Sequence, residues 1–233
     1  MTRVVSLVPS LTEAVAVSAP GVLVGCTDWC THPAGLDVAR IGGTKNPSVE
    51  AVLALRPDLV LANEEENREV ELSQLREAGV EVDVTHVRTL PEGLAELRRV
   101  LGRLGVAPAW LDEAEAAWGA PYDGPRRTAV IPIWRRPWMA VGSDTFAGDV
   151  LSRLGIDNAL EESPERYPRF AVEELPAVDL VVLPDEPYAF SATDGPEAFA
   201  VPSALVSGRH LTWYGPSLAE ARSVLTAQLQ TLT

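Results

Sequence analysis

The sequence predicts an α/β protein of two Rossmann-like lobes with mainly parallel sheets, joined by a single connecting helix, with a ligand cleft between the lobes. Three observations predict it. Short apolar strand signals alternate with helical signals along the whole chain. The same plan is written twice: residues 3–9 (RVVSLVP) and 58–61 (DLVL, running into Glu64, Glu65 and Glu66) are echoed by residues 127–134 (RTAVIPIW) and 179–183 (DLVVL, running into Asp185 and Glu186). Between the two halves, residues 107–119 (APAWLDEAEAAWG) read as one short helix. These place an N-terminal lobe at 1–106, the connecting helix at 107–120 and a C-terminal lobe at 121–233.

In the first half, residues 3–9 form a strand that turns into a helix. Ser10 followed by Glu13 matches a capping box, so the helix is expected to start at Ser10, with that side chain both capping and facing the carboxyl edge of the sheet. Residues 22–26 form the next strand, and 27–33 (TDWCTHP) the loop after it. Trp29, a large flat side chain on a polar loop, is either folded back on the core or offered to a ligand. Asn46 and Pro47 read as N-cap and first helical residue, ahead of an apolar face at Val49, Val52, Leu53 and Leu55. Gly42-Gly43-Thr44-Lys45 lacks the spacing of a phosphate-binding loop. After the second strand the acids Glu64–Glu66 suit a helix N-terminus, and Gly79 stops that helix. Residues 80–84 are a strand; His86 and Arg88 then share a face of the extended segment, and Thr89 with Glu92 caps a helix ending near Gly105.

In the second half, residues 131–139 (IPIWRRPWM) crowd Trp134, Trp138, Arg135 and Arg136 into a strand end and its loop. Indole and guanidinium faces both bind flat or anionic ligands, although either tryptophan could instead plug the core. Ser143 or Asp144 is expected to cap the helix at 145–154, and residues 211–215 (LTWYG) precede a final helix.

Composition bounds the function. With 233 residues, 46% hydrophobic, the chain is long enough to bury a real core. A formal net charge of −14 repels phosphate backbones and anionic lipid surfaces, which excludes nucleic acid as a partner. No apolar run approaches eighteen residues, so no transmembrane segment is expected. Met1-Thr2-Arg3 leads directly into strand sequence with no visible signal peptide, which predicts a cytoplasmic protein, or an extracytoplasmic one if the start is incomplete or export is non-standard. Cys26 and Cys30 are as readily unpaired thiols as a bridge. Three histidines and two cysteines offer no spacing that alone would fix a transition metal, so no protein metal site and no intrinsic cofactor are expected.

RVVSLVPSLTE, RPDLVLANEEEN with its following helix and AGVEV, WMAVGSDTFAGDVLSRLGIDNAL and LTWYG together resemble the helical-backbone substrate-binding proteins of ABC importers, the family that handles cobalamin and iron-siderophores, and most of all its cobalamin-binding branch. The resemblance covers nearly the whole chain. It implies two α/β lobes with one rigid helix between them, a bound metal chelate such as cobalamin or a ferric siderophore, an ABC permease as partner, and a monomer. It also implies aromatic contacts to the ligand from Trp29 and Trp213, a place for Ser10 in the first ligand loop, and permease docking through Glu69 and Glu173. Two features depart from it. Thr44 and Asn63 stand where that branch carries further aromatics, and the connecting helix, about 20 Å at 1.5 Å per residue, is short.

The expected ligand-binding set is therefore Ser10, Trp29, Asn63, Arg88, Trp134, Arg135, Trp138 and Trp213, with no catalytic residue. The alternative function is a cytoplasmic enzyme or cofactor-handling protein on the same scaffold, using His32 or His86 with Glu64–Glu66 and Asp185-Glu186 as acid and base groups. A third reading is an interaction module whose acidic tips dock a basic partner.

Overall fold

The computed structural model describes residues 2–232, which divide into two compact units. One holds the residues up to Val87, with Glu92–Asp112 and Tyr214–Pro216; the other holds Arg88–Pro91, Glu113–Trp213 and the residues from Ser217 onward.

The first unit is built from β1 (Val4–Ser6), α1 (Pro9–Ser18), β2 (Leu23–Cys26), β3 (Ala39–Arg40), α2 (Val49–Ala54), β4 (Leu59–Asn63), α3 (Glu69–Glu77) and β5 (Glu81–Thr85). Its five strands lie in the order β3-β2-β1-β4-β5, and every pairing is parallel. Chain order reverses direction between β1 and β4, which makes that gap the topological switch point of the sheet. β4 is buried along its whole length, as a central strand covered on both faces must be. Val5, Leu7, Val60, Leu72 and Leu75 meet there in the core, each contributing about 1.5–3 kcal/mol by leaving water.

α4 (Leu90–Arg103) and α5 (Ala109–Trp118) follow, and the division between units falls inside α5, between Asp112 and Glu113. The second unit contains β6 (Arg127–Val130), β7 (Pro132–Arg135), β8 (Trp138–Ala140), α6 (Phe146–Ser152), β9 (Ile156–Asn158), β10 (Leu180–Pro184), β11 (Ser203–Val206), α7 (Gly208–Thr212) and α8 (Leu218–Gln230). Its main sheet, β11-β10-β6-β9, is again parallel throughout, and β7 and β8 form a separate antiparallel hairpin. Among the described residues no helix is long and apolar enough to cross a membrane.

Four local expectations are corrected. α1 starts at Pro9, not Ser10; Val8 is its N-cap without a side-chain bond, because proline presets φ and needs no donor partner in the first turn. Ser10 and Glu13 therefore lie inside the helix and are buried. α2 is capped by Ser48, which accepts from the Ala51 amide at 3.2 Å, while Asn46 and Pro47 belong to the tight loop closed by the Gly42–Pro47 bridge. α6 is capped by Thr145 accepting from Gly148, with Asp144 in the left-handed region at φ 52° instead of the cap. Residues 127–134 are two strands, because Pro132 has no N–H to continue a ladder and the chain leaves the main sheet there.

Candidate functional site

In the first unit the loops after β1 to β5 gather on the carboxyl edge of the sheet, where ligands bind in open α/β folds. The switch-point gap itself is filled by the protein. Asn67, buried, donates from Nδ2 to the carbonyls of Leu7 (3.3 Å) and Thr44 (3.0 Å) and accepts at Oδ1 from the Asn63 amide (2.9 Å). One side chain thus ties the loops that follow β1, β3 and β4. Asn63 is used as fully: its Nδ2 donates to the Thr85 carbonyl at 3.1 Å, and its Oδ1 accepts from the Glu65 amide at 2.9 Å. Tyr214 closes the layer, with its hydroxyl 2.9 Å from Thr85 Oγ1 and bonded to Ser10. Burial holds the Tyr214 phenol well above its ordinary pKa, so it stays a neutral hydroxyl.

A polar floor results, and ligand-capable groups stand above it. Trp29 is 68% exposed, the most exposed large apolar side chain among the described residues, and its indole lies over Gly43, where a β-carbon would sit 3.8 Å from Nε1. Its loop is anchored from below by the buried thiols of Cys26 and Cys30, which are free. Arg40 Nη1 donates to the carbonyls of Thr27 (2.9 Å) and Cys30 (2.8 Å) and to Cys26 Sγ (3.2 Å). Hydrogen bonding from Cys26, then from Thr12 and Thr27, draws the Cys30 thiol down to about 6, while the same Cys26–Cys30 bond and burial push Cys26 up. Lys45 is exposed and donates from Nζ to the Glu65 carbonyl.

At the β5 end the parallel register pairs Asn63 with Thr85, so Glu64 and His86, the next residues on the two strands, come side by side. Glu64 Oε2 lies 2.9 Å from His86 Nδ1, and the imidazole side chain remains 67% exposed. Among the described residues no three of His, Cys, Asp or Glu converge as ligands for a bare metal ion.

Of the sequence-derived site residues in this unit, Trp29 is presented outward, whereas Ser10 and Asn63 are buried and spent on internal hydrogen bonds. A polar residue at a strand end serves the loop backbone first, because unsatisfied buried amides cost about 1–3 kcal/mol each. Asn67, Lys45 and Tyr214 went unread in the sequence. The i, i+4 pair of asparagines bracketing an acidic turn was the one signal of the Asn67 clasp.

In the second unit three more of these residues have partners within the fold. Arg135 bridges Asp194 and Glu197 and stacks over Trp138, 5.4 Å from the ring centroid. Trp138 packs into the core against Phe190 and Phe199 at 6.0 and 5.3 Å. Arg88 is paired with Asp144 at 2.6 Å. Both arginines and Trp138 therefore hold the unit together: each long side chain found its partner within the fold. Trp134 stays exposed on the hairpin, edge-on to Tyr188 at 5.6 Å, and Trp213, half-buried, follows α7. Glu69 opens α3 beside Ser73 and Arg76, and Glu173 is exposed in the 3-10 turn Val172–Glu174. An open depression of about 520 Å³ is lined by Ala117 of α5 and by Arg222, Thr226 and Gln230 of α8.

The profile of the periplasmic binding protein family matches residues 4–180. The chain belongs to this family. Among its relatives is a vitamin B12-binding protein of Pectobacterium carotovorum, 24% identical over 99% of this chain and 89% of that one. Solved structures similar to it include a periplasmic heme-binding protein from Roseiflexus in apo form (TM-score 0.79, 21% identity, 97% of each chain). Another is a periplasmic heme-binding protein from Pseudomonas aeruginosa (TM-score 0.76, 25% identity, 100% of this chain and 95% of that one). The two-lobed, mainly parallel α/β fold expected from the sequence is thus the fold of the family. The expected cytoplasmic location is corrected by the same match, since the family is one of periplasmic binding proteins and both heme-binding structures are of periplasmic proteins. The first residues of the chain were no guide to compartment.

Proposed function

We propose that this chain is the ligand-capturing component of an ABC importer, without catalytic activity, and that its cargo is a flat metal chelate of the tetrapyrrole class, a corrinoid or a heme. The observation that carries this reading is Trp29: an indole 68% exposed on the ligand edge of the sheet, on a loop braced by Arg40 and two buried thiols. A side chain so exposed and so firmly mounted suits stacking on a flat ligand more than packing. Its relatives named for vitamin B12 and heme support the chemical class, and Trp134 and Trp213 are the counterparts in the second unit. Lys45 supplies a cation at the same edge for acidic substituents. Glu69 and Glu173, one on each unit, are the acidic positions that would meet basic residues of a permease.

The test is calorimetric titration with cyanocobalamin, cobinamide, hemin and a ferric catecholate siderophore. Binding of one of the tetrapyrroles tighter than about 1 μM, near −8 kcal/mol, with Trp29→Ala weakening it about threefold to tenfold, is the expected result. Binding of the siderophore alone, or of nothing, rejects the tetrapyrrole reading.

A further inference from the structure

We propose that Cys26 and Cys30 are a dithiol–disulfide couple beneath the Trp29 loop, and that closing the bridge repositions Trp29. The inference stands on the loop itself and does not depend on which cargo the protein carries. Cys26 ends β2 and Cys30 lies four residues on; the turn between them is closed by the Cys30 amide donating to the Thr27 carbonyl at 3.2 Å. That turn brings both thiols to one point in the core, where they are wholly buried and hydrogen-bonded to each other. Cys30 Sγ also lies 3.1 Å from Thr12 Oγ1 and 3.2 Å from Thr27 Oγ1, and Arg40 Nη1 donates to Cys26 Sγ at 3.2 Å. Asp28, Trp29 and Thr31 of the same loop are exposed, so the short ring that a bridge closes contains the presented indole.

The two thiols are unequal, as such a couple needs. Hydrogen bonding from Cys26, then from Thr12 and Thr27, outweighs burial and makes Cys30 the thiolate, at about 6; the same contact and burial raise Cys26, which keeps its proton. Exchange with a disulfide R–S–S–R then has a defined order. The Cys30 thiolate attacks one sulfur, which gives a mixed disulfide and releases R–S⁻; Cys26 next passes its proton to that thiolate and attacks Cys30 Sγ, which releases the second R–S⁻. Two electrons pass from the pair to R–S–S–R, which leaves as R–SH and R–S⁻. Disulfides form and persist in the bacterial periplasm, and the family is one of periplasmic binding proteins. Bridging removes the sulfur anion that Thr12 and Thr27 hold and draws Cys30 toward the end of β2. Trp29 is bonded within that ring, and the Arg40 bonds to the Thr27 and Cys30 carbonyls must be remade as the ring closes, so the indole shifts with it.

The experiment equilibrates the full chain, first reduced, in glutathione buffers of rising oxidised-to-reduced ratio near neutral pH, followed by an acid quench, alkylation under denaturing conditions and mass spectrometry. The chain has two cysteines, so an internal bridge joins Cys26 to Cys30. A species lighter by two hydrogen atoms should replace the dithiol as the ratio rises, and dithiothreitol should reverse it. Tryptophan emission of the parent should change on bridging, and the change should be lost in Trp29→Phe, which bridges equally. Cys26→Ser should stop at the glutathione mixed disulfide on Cys30, whereas Cys30→Ser should react at least about tenfold more slowly. A parent that stays a dithiol in excess oxidised glutathione, or that takes up glutathione without bridging, overturns the inference. So does a bridge that leaves the emission unchanged, or a change that Trp29→Phe retains in full. The parent and Trp29→Phe decide the matter even where a serine variant fails to fold.

Discussion

Replacing Asn67 by alanine tests whether one buried amide holds the ligand edge of the first unit together. The side chain makes three hydrogen bonds, to the Leu7 and Thr44 carbonyls and from the Asn63 amide, all in the buried switch-point gap. Losing three bonds at about 1 kcal/mol each, with part of the further cost of leaving three backbone groups unsatisfied, gives about 3–5 kcal/mol. With a urea dependence of about 3 kcal/mol per molar, the unfolding midpoint should drop by about 1–1.7 M, read by circular dichroism. Asn67→Asp keeps the acceptor for the Asn63 amide but sets a carboxylate against two carbonyl oxygens; it should be at least as destabilising at pH 7 and recover in acid, where the protonated group can donate again. A midpoint for Asn67→Ala within about 0.3 M of the parent would refute the reasoning, because the three bonds would then be no better than bonds to water.

Trp138 and Trp29 should behave oppositely: Trp138→Ala removes a ring packed on Phe190 and Phe199 and should cost about 3 kcal/mol, whereas Trp29→Ala, at an exposed position, should leave thermal stability within about 0.5 kcal/mol of the parent in a differential scanning experiment. Arg135→Ala should lower the melting temperature through loss of the cation-π contact, about 1 kcal/mol, and Arg135→Lys should not restore it, since an ammonium cannot span Asp194 and Glu197 while lying flat on Trp138. Burial raises the Asp83 carboxyl, but the bidentate bonds from Arg99 at 2.7 and 2.8 Å and the bond from Arg103 outweigh it and hold the group below its ordinary range. A depressed carboxylate stabilises the fold fully above the unfolded value of about 3.9 and loses that stability as pH falls through the folded value. Asp83→Asn should therefore lower the melting temperature at pH 7, and the two proteins should converge only below about pH 4.

Local physics was enough for the sequence to determine the parallel α/β plan and its repetition. DLVL and DLVVL are continuous apolar strands because they are buried on both faces, and β4 and β10 are indeed buried from end to end. Gly79, at φ +84°, ends α3 where a side chain would be strained, and this too was legible. Helix starts were less so, since Ser10, Asn46 and Asp144 each have capping chemistry, yet the neighbours Pro9, Ser48 and Thr145 took the boundary. Tertiary structure alone decided which strand-end residues face outward. Asn63, Arg135 and Trp138 carry the same side chains whether they meet a ligand or the protein, and what settles the matter is whether a partner from a distant segment reaches them first: Thr85 for Asn63, Asp194 and Glu197 for Arg135, Phe190 and Phe199 for Trp138. The same holds for Glu64 and His86, twenty-two residues apart in the chain and neighbours only because β4 and β5 pair in the register that sets Asn63 beside Thr85. A pairing of that kind depends on the free energy of the whole sheet, which no window of sequence contains.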